Sequence, residues 1–201
     1  GFIWIATENG LARFDGMDFN TFSFDRTNPN SIASDFVVTI IEDSVGTYWV
    51  GTSAGLQTFD PEYGSFTKID LEDAALPSSD PHITAVMEAD INGRTMIIAA
   101  TSGHGMYLID PQTCKVVPEL LKPLNSSLPS PFIKKIFKDS LNRLWTAVEE
   151  GGVIIMDLDS CEIQGDTIWE GLNANDAVIT SFAQAEDGHI LIGTTNYGIL
   201  T

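Results

Sequence analysis

A short string recurs five times along this chain at near-constant spacing, and no other feature constrains the fold as strongly. WVGTSAGLQTFD at 49–60 has a close copy in WIATENGLARFD at 4–15. With one inserted residue the pattern returns as IAATSGHGMYLID at 98–110, then as WTAVEEGGVIIMD at 145–157 and LIGTTNYGIL at 191–200. The anchoring glycines stand at 10, 55, 105, 152 and 198, so successive offsets are 45, 50, 47 and 46. Self-similarity at this period marks a repeat architecture.

Upstream of each copy after the first lies an apolar, β-branched stretch that ends in acidic or Gly/Asn turn residues. These stretches begin at Phe36, Ile83, Ile133 and Val178. Each reads as a strand entering a hairpin, and no stretch carries the 10 to 12 residues of helical periodicity a helix needs. After Asp60, Asp110 and Asp157 a turn leads to a further strand, so each repeat is four short antiparallel strands, a to d. Repeated four-stranded units of 40 to 50 residues are the blades of a β-propeller. One such sheet cannot bury both faces alone, so blades stack and strands b and c fill the space between neighbours. The expected fold is all-β: about four and a third repeats, with blades near 1–31 (partial), 32–80, 81–130, 131–176 and 177–201 (partial). Trp4, Trp49 and Trp145 share one strand-b position. A row of tryptophans can stack sugars, but Ile98 and Leu191 take the same position in the other blades, which favours packing between blades.

The chain carries 28 Asp+Glu against 10 Lys+Arg, a formal net charge of −18. Ten scattered cations give no footprint for nucleic acid, and no segment approaches a membrane-spanning length of apolar residues. With 43% apolar residues the acidity belongs to a folded surface, where it favours neutral or cationic partners over acidic polysaccharides.

The string from Asn28 through Ser31-Ile32, Glu42-Asp43, Gly46 and Trp49-Val50-Gly51-Thr52 to Gly55-Leu56 and Phe59-Asp60-Pro61 resembles the two-component-regulator propeller repeat. That family's pattern is close to NxxSLxxxxVxxIxEDxxGxLWIGTxxGLxxFDP. The third and fourth copies depart from it, with Met96-Ile97-Ile98 for LWI and no IGT element in the fourth. The resemblance implies the extracytoplasmic sensor region of a Bacteroides-type hybrid histidine kinase, with an oligosaccharide as signal and phosphorelay chemistry in a separate part of the parent; some relatives precede diguanylate cyclases instead. The chain opens in strand b and closes in strand c, so the two ends do not complement each other. The expectation is a piece of a larger ring whose open edges favour self-association.

In such blades the d-to-a and b-to-c connections share a face, where ligands usually bind. The b-to-c turns carry Glu8, Asn9, Ser53, Ala54, His104, Glu149, Glu150, Asn196 and Tyr197, and His82 precedes a strand a. The d-to-a connections span 25–34, 70–81, 118–131 and 164–177. Glu8, Asn9, His82, His104, Glu149, Glu150, Asn196 and Tyr197 are therefore the candidate ligand contacts, supplying hydrogen bonds and stacking.

Three histidines form no metal set, although His82 and His104 could approach each other; His189 falls on the opposite face. Asp90-Ile91-Asn92-Gly93 and Asp157-Leu158-Asp159 lack the oxygen series of a calcium loop. There is no nucleophile elbow and no P-loop, and no cofactor is expected. A propeller-type lyase or glycosidase stays open as an alternative because carboxylates are plentiful. So does a pure protein-interaction propeller. Cys114 and Cys161 stand four residues after Asp110 and Asp157, equivalent positions in adjacent blades too far apart to bridge, so two free thiols are expected.

Overall fold

The computed structural model describes residues 2–71, 80–126, 128–149, 152–167 and 178–201. These residues form five antiparallel sheets, each a meander in chain order. The first holds β1 (Ile3–Thr7), β2 (Gly10–Phe14) and β3 (Phe19–Phe22). The second holds β4 (Val37–Glu42), β5 (Tyr48–Thr52), β6 (Gly55–Asp60) and β7 (Ser65–Lys68). The third holds β8 (Ile83–Ile91), β9 (Arg94–Thr101), β10 (Met106–Asp110) and β11 (Lys115–Val116). Next come α1 (Pro118–Ser126) and a fourth sheet of β12 (Ile133–Lys138), β13 (Arg143–Val148), β14 (Gly152–Asp157) and β15 (Glu162–Thr167). The fifth holds β16 (Ile179–Gln184), β17 (Ile190–Thr194) and β18 (Gly198–Leu200). Blades 2 to 4 run a-b-c-d, blade 1 runs b-c-d and blade 5 runs a-b-c.

Strand pairing explains the repeated letters one by one. In every strand a the register slips by one residue near its start, between Val37 and Thr39, Ile83 and Ala85, Ile133 and Lys135, and Ile179 and Ser181. The extra residue makes a β-bulge. Opposite the first residue after each bulge stands a small one: Gly51, Ala100, Ala147 or Gly193. A Cβ on Gly51 would lie 2.6 Å from Ile83 Cγ2 and 2.9 Å from Thr39 Cγ2, which is why the motif demands a small residue there. The following threonine closes the b-to-c turn: Oγ1 of Thr7, Thr52, Thr101 and Thr194 donates to the carbonyl of Gly10, Gly55, Gly105 and Gly198 at 2.7 to 3.1 Å. Blade 4 has Val148 there and lacks the bond.

The aspartate after strand c has an equally local cause. Oδ1 of Asp15, Asp60, Asp110 and Asp157 accepts the N–H groups two and three residues on, at 2.8 to 3.2 Å, so each carboxylate builds its c-to-d turn. Four residues after the last three, Gly64, Cys114 and Cys161 adopt φ of 63°, 54° and 57°. The two cysteines are thus equivalent and half-buried, each unbridged with Sγ 3.9 Å from the carbonyl oxygen of Pro111 or Leu158. Burial, aided by Asp110 and Asp157, pushes both thiols above their usual pKa.

The core is a series of four seams, one between each pair of successive blades. Trp4, Leu11, Val37, Val50 and Phe59 pack in the first, Trp49, Leu56, Ile83, Ile97 and Tyr107 in the second. Ile98, Met106, Leu108, Ile133 and Leu144 pack in the third, and Trp145, Ala147, Val153 and Ile192 in the fourth. In the middle blades strand b is buried on both faces, so its alternate residues enter different seams; fully burying one Ile or Leu contributes roughly 1.5–3 kcal/mol. The tryptophans lie in these seams as packing groups, each facing the following blade. Across two seams a polar latch joins an a-to-b turn to strand a of the next blade. The Ser44 amide and hydroxyl donate to the two carboxylate oxygens of Glu88 at 3.0 and 2.7 Å. Ser140 and Gln184 repeat this between blades 4 and 5 at 2.9 and 3.0 Å.

The all-β expectation holds, and the connection 118–131 adds one short helix, α1. Nine residues are too few for a periodic pattern, and Pro123 inside the segment argues against a helix in sequence. Pro118 opens it at a position where its missing N–H costs nothing. The helix delivers Asn125, whose Oδ1 accepts from Met106 N at 2.9 Å and whose Nδ2 donates to Met106 O at 3.0 Å. Asn125 thereby holds the connection against the start of β10.

Candidate functional site

Antiparallel strands place the b-to-c turns and d-to-a connections on one face, and one position there recurs with the same geometry in four blades. The carbonyls of Phe36, His82, Phe132 and Val178, each just before strand a, accept N–H bonds from Ser53, Ser102, Glu149 and Thr195 at 2.8 to 3.1 Å. Those donors lie in the b-to-c turn of the same blade. The preceding residue grips the previous blade's turn: Asp35 O accepts from Gly10 N at 2.7 Å, and Pro131 O accepts from Gly103 N and Gly105 N at 3.1 and 2.9 Å. The backbone at Phe36 and at Phe132 is therefore tied to two successive b-to-c turns.

Unlike most apolar side chains of the strand a that follows, these side chains face solvent. Phe36, Phe132 and Val178 are 42%, 44% and 51% exposed, and His82 is exposed too. The rings of Phe36 and His82 meet edge to face at 6.0 Å. Phe132 lies over the next turn back, where a Cβ on Gly103 would stand 3.2 Å from its Cε1. The result is an arc of apolar and aromatic groups, Phe36–His82–Phe132–Val178, interleaved with polar turns.

The expected contacts distribute around this arc. Glu8 and Asn9 are exposed in the turn beside Phe36, and Ser53 Oγ bonds Ser34 Oγ at 2.8 Å. His82 is a member of the arc. His104 is half-buried in the turn between His82 and Phe132; its amide donates to Thr101 Oγ1 at 3.1 Å and its Nδ1 is buried without a partner. Glu149 is exposed and pairs with Lys134, the bulged residue of β12, at 3.0 Å. Asn196 and Tyr197 are exposed in the last turn. Glu150 lies outside the described residues. Phe36 and Phe132 were not expected as contacts; their offsets of 46 and 50 residues from His82 are the signal that identifies them.

Two clefts accompany these faces. One of about 320 Å³ is lined by Pro129, Ser130, Pro131, Phe132 and Glu149, at the Phe132 end of the arc. The other, about 360 Å³, lies on the opposite face between blades 2 and 3, over the Ser44–Glu88 latch with Arg94 and Asp110. Among the described residues no three His, Cys, Asp or Glu side chains gather as a metal site, and no helix is long and apolar enough to cross a membrane.

The two-component regulator propeller model matches 31–54, from Ser31 through β4 and β5 into the b-to-c turn. Residues 31–54 thus resemble a two-component regulator propeller repeat. Among solved structures the chain is similar to one described as the extracellular domain of a hybrid two component system, BT4673 from B. thetaiotaomicron. The identity is 18% and the TM-score 0.77, over 96% of this chain and 27% of that one. A second such domain, BT3049 from the same organism, gives 22% and 0.53, over 98% of this chain and 31% of that one. The chain thus spans about a quarter to a third of these relatives' length. Virginiamycin B lyase from Staphylococcus aureus, in a catalytically inactive form, also shares the fold at 18% identity and a TM-score of 0.66, over 100% of this chain and 65% of that one. No curated protein sequence matches the chain. These likenesses establish the propeller fold, and the regulator-propeller repeat sits in its second blade.

Proposed function

We propose that this chain is part of the extracytoplasmic sensor region of a two-component system, that it binds an oligosaccharide on its d-to-a and b-to-c face, and that a separate histidine kinase carries the output. The regulator-propeller repeat at 31–54, built into a stack of blades, is the observation that carries the reading. The extracellular domains whose fold it shares add support. Fold alone does not assign function, so the assignment stands on the repeat. In this role the segment binds without catalysing, and Glu8, Asn9, His82, His104, Glu149, Glu150, Asn196 and Tyr197 supply contacts. The membrane anchor and the phosphorelay belong to the parent.

The test is a signalling assay on the parent protein in its native membrane, reading kinase autophosphorylation while a panel of plant and host oligosaccharides is supplied. One member of the panel is expected to change the phosphorylation level. Insensitivity to every member, with the kinase otherwise active, would overturn the proposal.

A further inference from the structure

Resting on the sensing role proposed above, we infer that Phe36, His82 and Phe132 form a stacking platform for a neutral oligosaccharide. Pyranose rings present patches of C–H groups that lie against aromatic faces, while their hydroxyls need donors and acceptors at the edge. The arc has that alternation. The backbone at Phe36 and Phe132 is tied to two turns and that at His82 to one, so little backbone ordering remains to be done on binding. Most other large apolar side chains of strands a and b in the middle blades pack in a seam; these rings do not. The cleft beside Phe132, about 320 Å³, is at the lower end of the range for small-ligand sites and suits a terminal sugar ring between Phe132 and Glu149.

Charge selects the class. The carboxylates around the arc are Glu8, Asp35, Asp80 and Glu149. The two nearby lysines are already paired, Lys68 with Asp80 at 2.8 Å and Lys134 with Glu149 at 3.0 Å. Arg26 also stands on this face, in the connection 25–34, yet the rim carries more carboxylates than free cations, so a uronate or sulfate would bring like charge to an acidic rim. A neutral chain meets no such opposition.

The experiment is calorimetry and aromatic NMR on the full chain with cellotetraose, xylotetraose and mannotetraose, and with tetragalacturonate as the acidic comparison. At least one neutral tetrasaccharide is expected to bind and shift the ring resonances of Phe36 and Phe132, a readout that needs no variant. Phe36→Ala and Phe132→Ala should each weaken binding about tenfold (about 1.4 kcal/mol), Phe132→Trp should restore it, and Tyr63→Ala, in a c-to-d turn on the opposite face, should leave it unchanged. Neutral binding that leaves those resonances and the Ala variants unaffected overturns the platform while leaving the sensing role intact. Binding of tetragalacturonate alone, or of none of the four, overturns it as well, and the kinase assay decides separately whether sensing itself survives.

Discussion

The indole Nε1 of Trp49 donates to Oδ2 of Asp43 at 2.8 Å, both groups buried, and Trp145 repeats the bond to Asp139 at 2.9 Å. Both residues vary together along the chain. Where Ile98 or Leu191 replaces the tryptophan, the aspartate position holds Ala89 or Ala185, as the strand registers place them. A buried carboxylate is tolerated only with its donors present. Asp43 also accepts Val45 N and Thr47 N through Oδ1, so one side chain ties turn and seam. Trp49→Phe should cost about 2–4 kcal/mol, since it strands a charged acceptor. Asp43→Ala should cost a similar amount. The double change Asp43→Ala with Trp49→Ile, which installs the blade 3 pairing, should cost at least 1 kcal/mol less than the sum. Urea unfolding of the three variants measures the coupling.

Gly51 is fixed by the bulge opposite it and by the next blade. With Ile83 Cγ2 only 2.6 Å from the site of a Cβ, Gly51→Ala forces the seam apart and should lose roughly 1–3 kcal/mol. Adding Ile83→Ala removes the Cγ2 contact while keeping the Cβ at 3.1 Å, so the penalty for alanine at 51 should be smaller in that background. Equal penalties in both backgrounds would place the strain elsewhere.

Glu88 can be replaced by the residue its counterpart already uses. Gln184 meets Ser140 with one acceptor and one donor, so Glu88→Gln should stay within about 0.5 kcal/mol of the parent. Glu88→Ala, which strips both bonds from Ser44, should lose about 1 kcal/mol. Thermal melts of the two variants decide it.

Acid stability follows from the turn carboxylates. Hydrogen bonds from the Asp18 and Met17 amides hold Asp15 below the usual range. The Thr27 hydroxyl and amide act likewise on Asp25, and the Ser160 amide on Asp157. For Asp139, burial opposes ionisation, but donors from Trp145 and Arg143 outweigh it and hold its pKa low. A carboxyl whose folded pKa is lowered contributes stability that is complete above its unfolded pKa of about 3.9 and is lost as pH falls through the folded value. The melting temperature should therefore be insensitive to these groups above about pH 5 and should fall steeply below about pH 4. Asp139→Asn should flatten that slope while lowering the plateau, as followed by circular dichroism across pH 2.5 to 7.

The blades were legible in the sequence because their letters are local necessities. Asp110 builds its own turn, Thr101 its own hairpin end, and Gly51 and Ala100 face a bulge that every copy contains. What the sequence hid depends on neighbours in space. Phe36 reads as the first apolar residue of a strand, and only the register shows that its ring stands one residue outside the pairing, in solvent. Phe132 was concealed behind Pro131 in the same way. The Ser44–Glu88 latch joins residues of two blades, and α1 was masked by Pro123. A face assembled from five turns has no linear motif to announce it.

Strand β9 has a thermodynamic meaning beyond its place in the fold. From Met96 to Ala100 it is buried to within 1%, with Ile97 and Ala99 in one seam and Ile98 and Ala100 in the next. Each seam acts as a coupling between adjacent units, as in a one-dimensional array. Two couplings must break before β9 meets water, whereas an outer strand such as β7 is released without disturbing strand b. Amide exchange should thus be graded radially as well as along the chain, slowest at β9 and faster toward each blade's rim, which makes the middle blade the rigid frame against which the others open.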